Sequence, residues 1–401
     1  MIKKAIKTFF KSEISIGITL IFVTILSLFF VNSDNHQIYE NFFLMDLPLN
    51  ISALNIYKSL SLRDWINDAL MAIFFLLVGL ELKREVLVGE LSTKKRFALP
   101  AIAAIGGVVF PALIFAYFNM DDAEALSGFA VPTATDIAFA YGMISLFGKK
   151  VPNALKVFLV ALAVLDDLMA ILIIAFFYTQ NFNGIYLLYG GFAMLGLAFL
   201  NFKNSRRISL YLVLGAILWL MILKSGIHAT LAGVLTAAFI PLNVKEEPTL
   251  SNLAHKIAPS VNFFILPIFA FANSGVRIAK MELSIFTDSL VIGVICGLFF
   301  GKQFGVVAMS YIAVKLKIVQ LPRGSNWVEF YGASILTGIG FTMSLFIGSL
   351  AFSEHLELYD KVKIGVLAGS LFSMIFGIFV VYLGTLKINW FYDSHAVKEE
   401  S

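Results

Sequence analysis

The chain has 401 residues, 59% of them hydrophobic and 14% charged, with a formal net charge of +4. Soluble domains run at about 45–50% apolar and about 25% charged, so composition excludes an ordinary soluble fold and points to one polytopic membrane domain over 1–401. The small net charge, scattered between apolar runs, argues against nucleic acid as a partner, and the lone cysteine, Cys296, rules out an intramolecular disulfide.

Apolar runs recur from one end to the other, each near or above the length a helix needs to cross the hydrocarbon core. They are continuous rather than alternating, which favours helices over barrel strands. The expected fold is an all-α polytopic membrane protein with 12 transmembrane helices, at 12–31, 65–86, 97–118, 126–147, 153–178, 184–200, 207–223, 225–240, 259–275, 289–314, 328–352 and 362–386. Lys3, Lys4, Lys7 and Lys11 precede the first run. That run exceeds a leader's apolar stretch of about 7–15 residues and lacks a small-x-small cleavage site, so it reads as a retained span. The outer loop 32–64 alternates apolar residues around Leu47–Ile51 and Leu54–Tyr57, a pattern open to a short hairpin or to an ordinary surface loop.

Basic residues concentrate in alternate loops. Lys83, Arg84, Lys94, Lys95 and Arg96 fall on one side, with Lys203, Arg206 and Arg207; the other side holds only a few, among them Lys58 and Arg63. Basic residues mark the inner side, so both termini are expected in the cytoplasm, including the tail 387–401. Lipid bilayer is thus the first partner.

Four ionisable residues lie deep inside spans, where a charge costs roughly 3 kcal/mol or more and is a functional candidate by default. They are Asp136, Asp166, Asp167 and Lys302. Neighbouring helix positions point about 100° apart, so Asp166 and Asp167 cannot share one direction, but both can border one cavity. Carboxylate oxygens suit hard cations. No Cys/His cluster accompanies them, so neither a zinc-like site nor a cofactor is expected. Lys302 is the natural counter-charge for one aspartate, in a pair that is switchable or purely structural.

Two spans are interrupted. In the fourth, Pro132, Thr133, Thr135 and Asp136 break the apolar run; in the eleventh, Gly338 and Gly340 loosen it, and Thr337, Thr342 and Ser344 add oxygens. Either alone also reads as close helix packing. Together they fall in the middle span of two corresponding triplets, 3–5 and 10–12, which would be inverted-topology repeats with an ion site near the midplane. Half-helix N-termini there favour an anion such as Asp136, and C-termini a cation such as Lys302.

The motifs Trp65-Ile-Asn-Asp through Glu81-Leu-Lys-Arg-Glu, Pro132-Thr-Ala-Thr-Asp, Leu165-Asp-Asp-Leu, Gly226-Ile-His-Ala-Thr-Leu-Ala-Gly, Leu266-Pro-Ile-Phe-Ala-Phe-Ala-Asn-Ser-Gly-Val, Gly301-Lys and Gly338-Ile-Gly-Phe-Thr-Met-Ser run in order from about residue 60 to 350. In these motifs the chain closely resembles the NhaA-type sodium/proton antiporters. The inverted-repeat rule was itself drawn partly from that family. The resemblance implies a transporter, not an enzyme, of the bacterial inner membrane, and a homodimer formed through a hairpin at residues 47–60. It implies exchange of sodium, and also lithium, for protons, with sodium extrusion, a contribution to pH homeostasis and activation at alkaline pH. It further implies a cytoplasmic funnel leading to Asp166 and Asp167 as the sodium and proton site. Thr135 and Asp136 would border the crossed helices, with Lys302 beside them. Glu81 near the inner end of span 2, and Asp68 and His228 nearer the outer side, gain roles. On their residues alone, Glu81 also reads as a solvated helix-end charge and His228 as a packing residue. One stretch departs from the family pattern. In Asn252-Leu-Ala-His-Lys-Ile-Ala-Pro, His255 remains, but alanine stands at 254 and 258, where the family commonly has an acid and a second histidine linked to pH response.

The chemistry expected is competition: the aspartates hold a proton or a sodium ion, never both fully, and rising cytoplasmic pH lets sodium in. Two other classes use similar residues. An intramembrane aspartyl protease also needs two mid-membrane aspartates, and a passive cation channel also needs a charged pathway. The protease chemistry needs no buried lysine and gains nothing from a second broken span, and a channel differs in that it cannot move sodium uphill using a proton gradient.

Overall fold

A computed structural model describes residues 13–51, 56–178, 183–244, 247–277 and 283–386. The N-terminal lysines, Lys245, Lys280, the turn at Leu54 and Asn55, and the tail 387–401 lie outside the described residues. The protein is a bundle of apolar helices turned inside out relative to a soluble fold. Phe176 and Phe202 are each 80% exposed, whereas Asp166 and Lys302 are 0% exposed. Within hydrocarbon the backbone must satisfy its own hydrogen bonds, which is why long apolar runs become helices.

We number the main helices in chain order. α1 is Glu13–Val31, α2 is His36–Phe43, and α3 is Leu62–Leu87. α4 is Lys94–Asn119, α5 Ile137–Ser145, α6 Asn153–Phe177, α7 Gly184–Phe202 and α8 Ile208–Ser225. α9 is Leu231–Phe239, α10 Thr249–Asn273 and α11 Ser289–Lys315. α12 is Trp327–Leu336, α13 Phe341–Ala351 and α14 Leu356–Thr385. Two strands, Leu49–Ile51 and Ile56–Lys58, pair antiparallel with Asn50 opposite Tyr57. Trp65 Nε1 donates to the Leu47 carbonyl at 2.8 Å and holds this hairpin against α3.

Among the described residues, nine helices are long and apolar enough to cross a membrane, or ten when the bent pair α12–α13 counts as one span. The protein is therefore a multi-pass, all-α membrane protein. Besides 328–352, which is the bent pair α12–α13, two more of the twelve expected spans lack a continuous helix of full length. In 126–147, a 3-10 stretch Ser127–Thr133 runs into extended backbone at Ala134 before α5 begins. Pro132 lacks an N–H and ends the first part, and Thr133 Oγ1 satisfies the Ala130 carbonyl instead. In 225–240, Gly226 takes a left-handed φ of 84° and stops α8, so α9 has only nine residues. Nine residues reach about 13 Å, under half of the hydrocarbon core. The predicted 259–275 span starts earlier than expected, because Thr249–Ser260 is already helical.

Candidate cation site

Asp166 and Asp167 sit near the middle of α6, at 0% and 1% exposure. Lys302 Nζ donates to Asp166 Oδ2 at 2.5 Å. Thr135 Oγ1 stands 2.8 Å from both Asp166 Oδ2 and the Thr337 carbonyl, with one proton to share between them. Asp166 Oδ1 and Asp167 Oδ1 are buried and have no hydrogen-bond partner. A buried polar atom without a partner is rare and asks for an explanation, such as a ligand that fits it.

Lys302 is delivered by helix geometry. Gly297–Gly301 forms a π-helical turn immediately before it, and such turns recur at functional sites. The backbone of α11 then rests directly on α4. A side chain at Gly301 would stand 2.6 Å from Pro111 Cα, and one at Gly305 would run into the Gly106 carbonyl. Close backbone contact through small residues is the usual device for packing helices in lipid.

The two interruptions cross beside this pair. Asp136 N–H donates to the Ile339 carbonyl at 2.7 Å. Its carboxylate caps two helices at once. Oδ1 accepts from Phe139 N at 3.1 Å, at the start of α5; Oδ2 accepts from Thr342 N at 3.2 Å, at the start of α13, and from the Thr342 hydroxyl. Ser344 Oγ donates to the Val131 carbonyl at 2.7 Å. Gly338 and Gly340 keep negative φ, so they provide clearance rather than a left-handed turn. A side chain at Gly340 would stand 2.8 Å from Leu298 Cδ2. The expected match of Asp136 to half-helix N-termini is what the geometry has. Lys302 takes the other role expected of it, as the counter-charge of one aspartate, Asp166.

Thr135, Asp136, Asp166, Asp167, Lys302, Gly338 and Gly340 thus gather in one place. The remaining candidates lie apart. Glu81 on α3 is half-buried. Asp68 sits in the π-helical turn Ile66–Leu70, about 20 Å along the same helix from Glu81. His228 Nε2 lies 2.8 Å from the Tyr178 carbonyl, a contact that only a ring N–H can serve. His255 is exposed on α10. Among the described residues no three His, Cys, Asp or Glu side chains gather as a metal site would need, so the oxygen donors at hand are the two carboxylates and nearby hydroxyls.

Several residues here escaped the reading of the sequence. The Thr337 and Ile339 carbonyls are backbone groups that carry no side-chain signal. Asn273 Nδ2 donates to Asn67 Oδ1 at 2.9 Å and Tyr359 OH to Asn273 Oδ1 at 3.2 Å, bridging α3, α10 and α14. An asparagine inside an apolar span was the signal available for that bridge. A cavity of about 400 Å³ between α3, α8 and α9, lined by Ala72, Ile73, Gly215 and Trp219, is almost wholly apolar and away from the aspartates.

Residues 7–381 match the family model described as Na+/H+ antiporter 1. The chain is 47% identical over 388 residues to the "Na(+)/H(+) antiporter NhaA" of Pelagibacter ubique, covering 96% of this chain and 99% of that protein. It is 49% identical over 376 residues to the protein of the same name from Nitrobacter hamburgensis, covering 93% and 90%. The corresponding figures for Campylobacter curvus are 44% over 389 residues, 96% and 97%.

Proposed function

We propose a function that starts from one fact: this chain belongs to the Na+/H+ antiporter 1 family. It exchanges sodium ions for protons, with lithium as an alternative substrate, in the bacterial inner membrane with both termini in the cytoplasm. It extrudes sodium, serves pH homeostasis and works as a homodimer joined at the hairpin. The chain makes twelve crossings, the fourth and eleventh interrupted at the site, in inverted repeats around it. Asp166 and Asp167 carry both ions.

The observation that carries this reading is the pair of buried, unpartnered oxygens, Asp166 Oδ1 and Asp167 Oδ1, beside the Lys302–Asp166 bond. Charge accounting supports it. Each helix N-terminus carries about half a positive charge, so the two that Asp136 caps sum to about one and offset it. Lys302 offsets Asp166. Asp167 is left with neither a counter-charge nor a helix end, and a charge so placed takes up a cation. That cation is a proton when protons are plentiful and sodium when they are scarce. Activity therefore rises with pH on the side from which sodium enters. Sodium at Asp166 displaces the Lys302 ammonium, and its departure lets that bond re-form. Alternating access needs the bundle to rock around the site, closing one side as the other opens.

Sealed vesicles holding the purified protein give the test. A proton gradient should drive sodium uphill, which a channel cannot do and a protease does not do. Asp166→Asn and Asp167→Asn should each abolish the exchange. Wild-type rates from both variants would sink the assignment of the aspartates while leaving the antiport itself standing.

A further inference from the structure

Two adjacent glycines on α4, Gly106 and Gly107, face different neighbours because successive helix positions point about 100° apart. Gly106 meets backbone: a side chain there would collide with the Gly305 carbonyl. That glycine is explained by the helix crossing alone. Gly107 meets the site. A Cβ placed on it would stand 3.7 Å from Lys302 Nζ and 3.8 Å from Asp166 Oδ1, both ordinary contact distances, and 3.2 Å from Val306 Cγ2. Packing therefore leaves room for a methyl group, with a shift of a few tenths of an ångström at Val306. The crossing does not demand glycine at 107.

What stands opposite Gly107 is one of the two unpartnered carboxylate oxygens, on a side chain with no exposure. The bare Cα keeps open the volume next to that oxygen and next to the ammonium that an incoming ion must push aside. From this geometry we propose that Gly107 is a specificity-determining residue of the cation site. Its missing side chain leaves the space that the ion, with whatever water it retains, occupies beside Asp166 Oδ1. This rests on the aspartates being the transported ion's ligands, as proposed above. Filling the space with one methyl group penalises the larger ion more than the smaller. A single methylene in a close-fitting pocket discriminates by about tenfold or more.

The experiment compares wild type, Gly107→Ala and Gly107→Ala/Val306→Ala in sealed vesicles, with sodium and lithium as separate substrates. The double variant removes the one tight contact and keeps the test intact if the single variant assembles poorly. The expected result is an apparent KM for sodium raised about tenfold, with the lithium KM changed by less than about threefold and the maximal rate for lithium retained. Equal KM values to wild type for both ions would overturn the proposal. So would an equal rise for both ions, or a fall in maximal rate with KM unmoved, since either is the mark of a packing defect. Asp166→Asn, run in parallel, separates the two levels. If it exchanges normally, the underlying site assignment has failed; if it is inactive while Gly107→Ala behaves as wild type, only the role of Gly107 has.

Discussion

The two interruptions meet at one crossing, yet they contribute to it differently. The first supplies side chains: the Thr135 hydroxyl, and an Asp136 carboxylate that caps α5 and α13 together. The second supplies mainly backbone: carbonyls at Thr337 and Ile339 that receive Thr135 Oγ1 and Asp136 N, and an N–H at Thr342, with the Thr342 and Ser344 hydroxyls beside them. The cause lies in the residues. Proline, threonine and aspartate break a helix by putting polar atoms into it, whereas Gly338 and Gly340 let a neighbour come close enough to use the backbone itself. Two breaks of different residue type thus meet at one crossing, one offering more of its side chains and the other more of its backbone.

The largest effect that sharpens this contrast is expected at Asp136. Asp136→Ala strips the cap from two helices, each worth about 1–2 kcal/mol, so about 2–4 kcal/mol of stability should be lost. Asp136→Asn, which keeps one acceptor oxygen, should lose less. Thermal unfolding of the purified protein in detergent reads both. Gly338→Ala comes next. Its new methyl group would press on the Leu298 carbonyl and on Ser373 Oγ, and overpacking of this kind destabilises by about 1–3 kcal/mol. The same melting experiment, with Ser373→Ala added to relieve one of the two contacts, should recover part of that loss. The smallest effect belongs to Thr337→Val. It removes only the hydroxyl bond to the Ser334 carbonyl and leaves the Thr337 carbonyl in place for Thr135, so the change should stay within about 1 kcal/mol. A melting loss at Thr337→Val equal to that at Asp136→Ala would end the division between side-chain and backbone halves.

Much of this arrangement was legible in the residues alone. Charges in apolar runs stand out because lipid leaves them no other purpose, and that logic picked out Asp136, Asp166, Asp167 and Lys302. The breaks were legible too, since Pro132 and the Gly338/Gly340 pair disturb a continuous pattern. Helix ends were not. The segment 225–240 is largely apolar, but Gly226 adopts a left-handed turn and α9 starts only at Leu231, so the run yields a nine-residue helix. Hydropathy measures where a chain is content to be, not whether its backbone is helical there. The start of α10 was hidden for the opposite reason: Thr249–Ser260 is too polar to read as a span, yet it is continuous with the apolar helix that ends at Asn273. Glycines carried the least information. Gly106 and Gly107 are identical letters, and only the partners standing opposite show that one serves a crossing and the other borders a carboxylate.

Tethering makes Lys302 a ligand whose concentration never changes. A group held in place by the same fold competes at a fixed effective concentration, whatever the solution outside contains. In the cycle proposed here, a sodium ion reaching Asp166 therefore faces a constant rival rather than an empty carboxylate. The site's apparent affinity is its intrinsic affinity reduced by the fraction of time the ammonium is seated. Occupancy by sodium is then set against an internal standard, and Asp166 is not left as an uncompensated buried charge between one ion's departure and the next one's arrival.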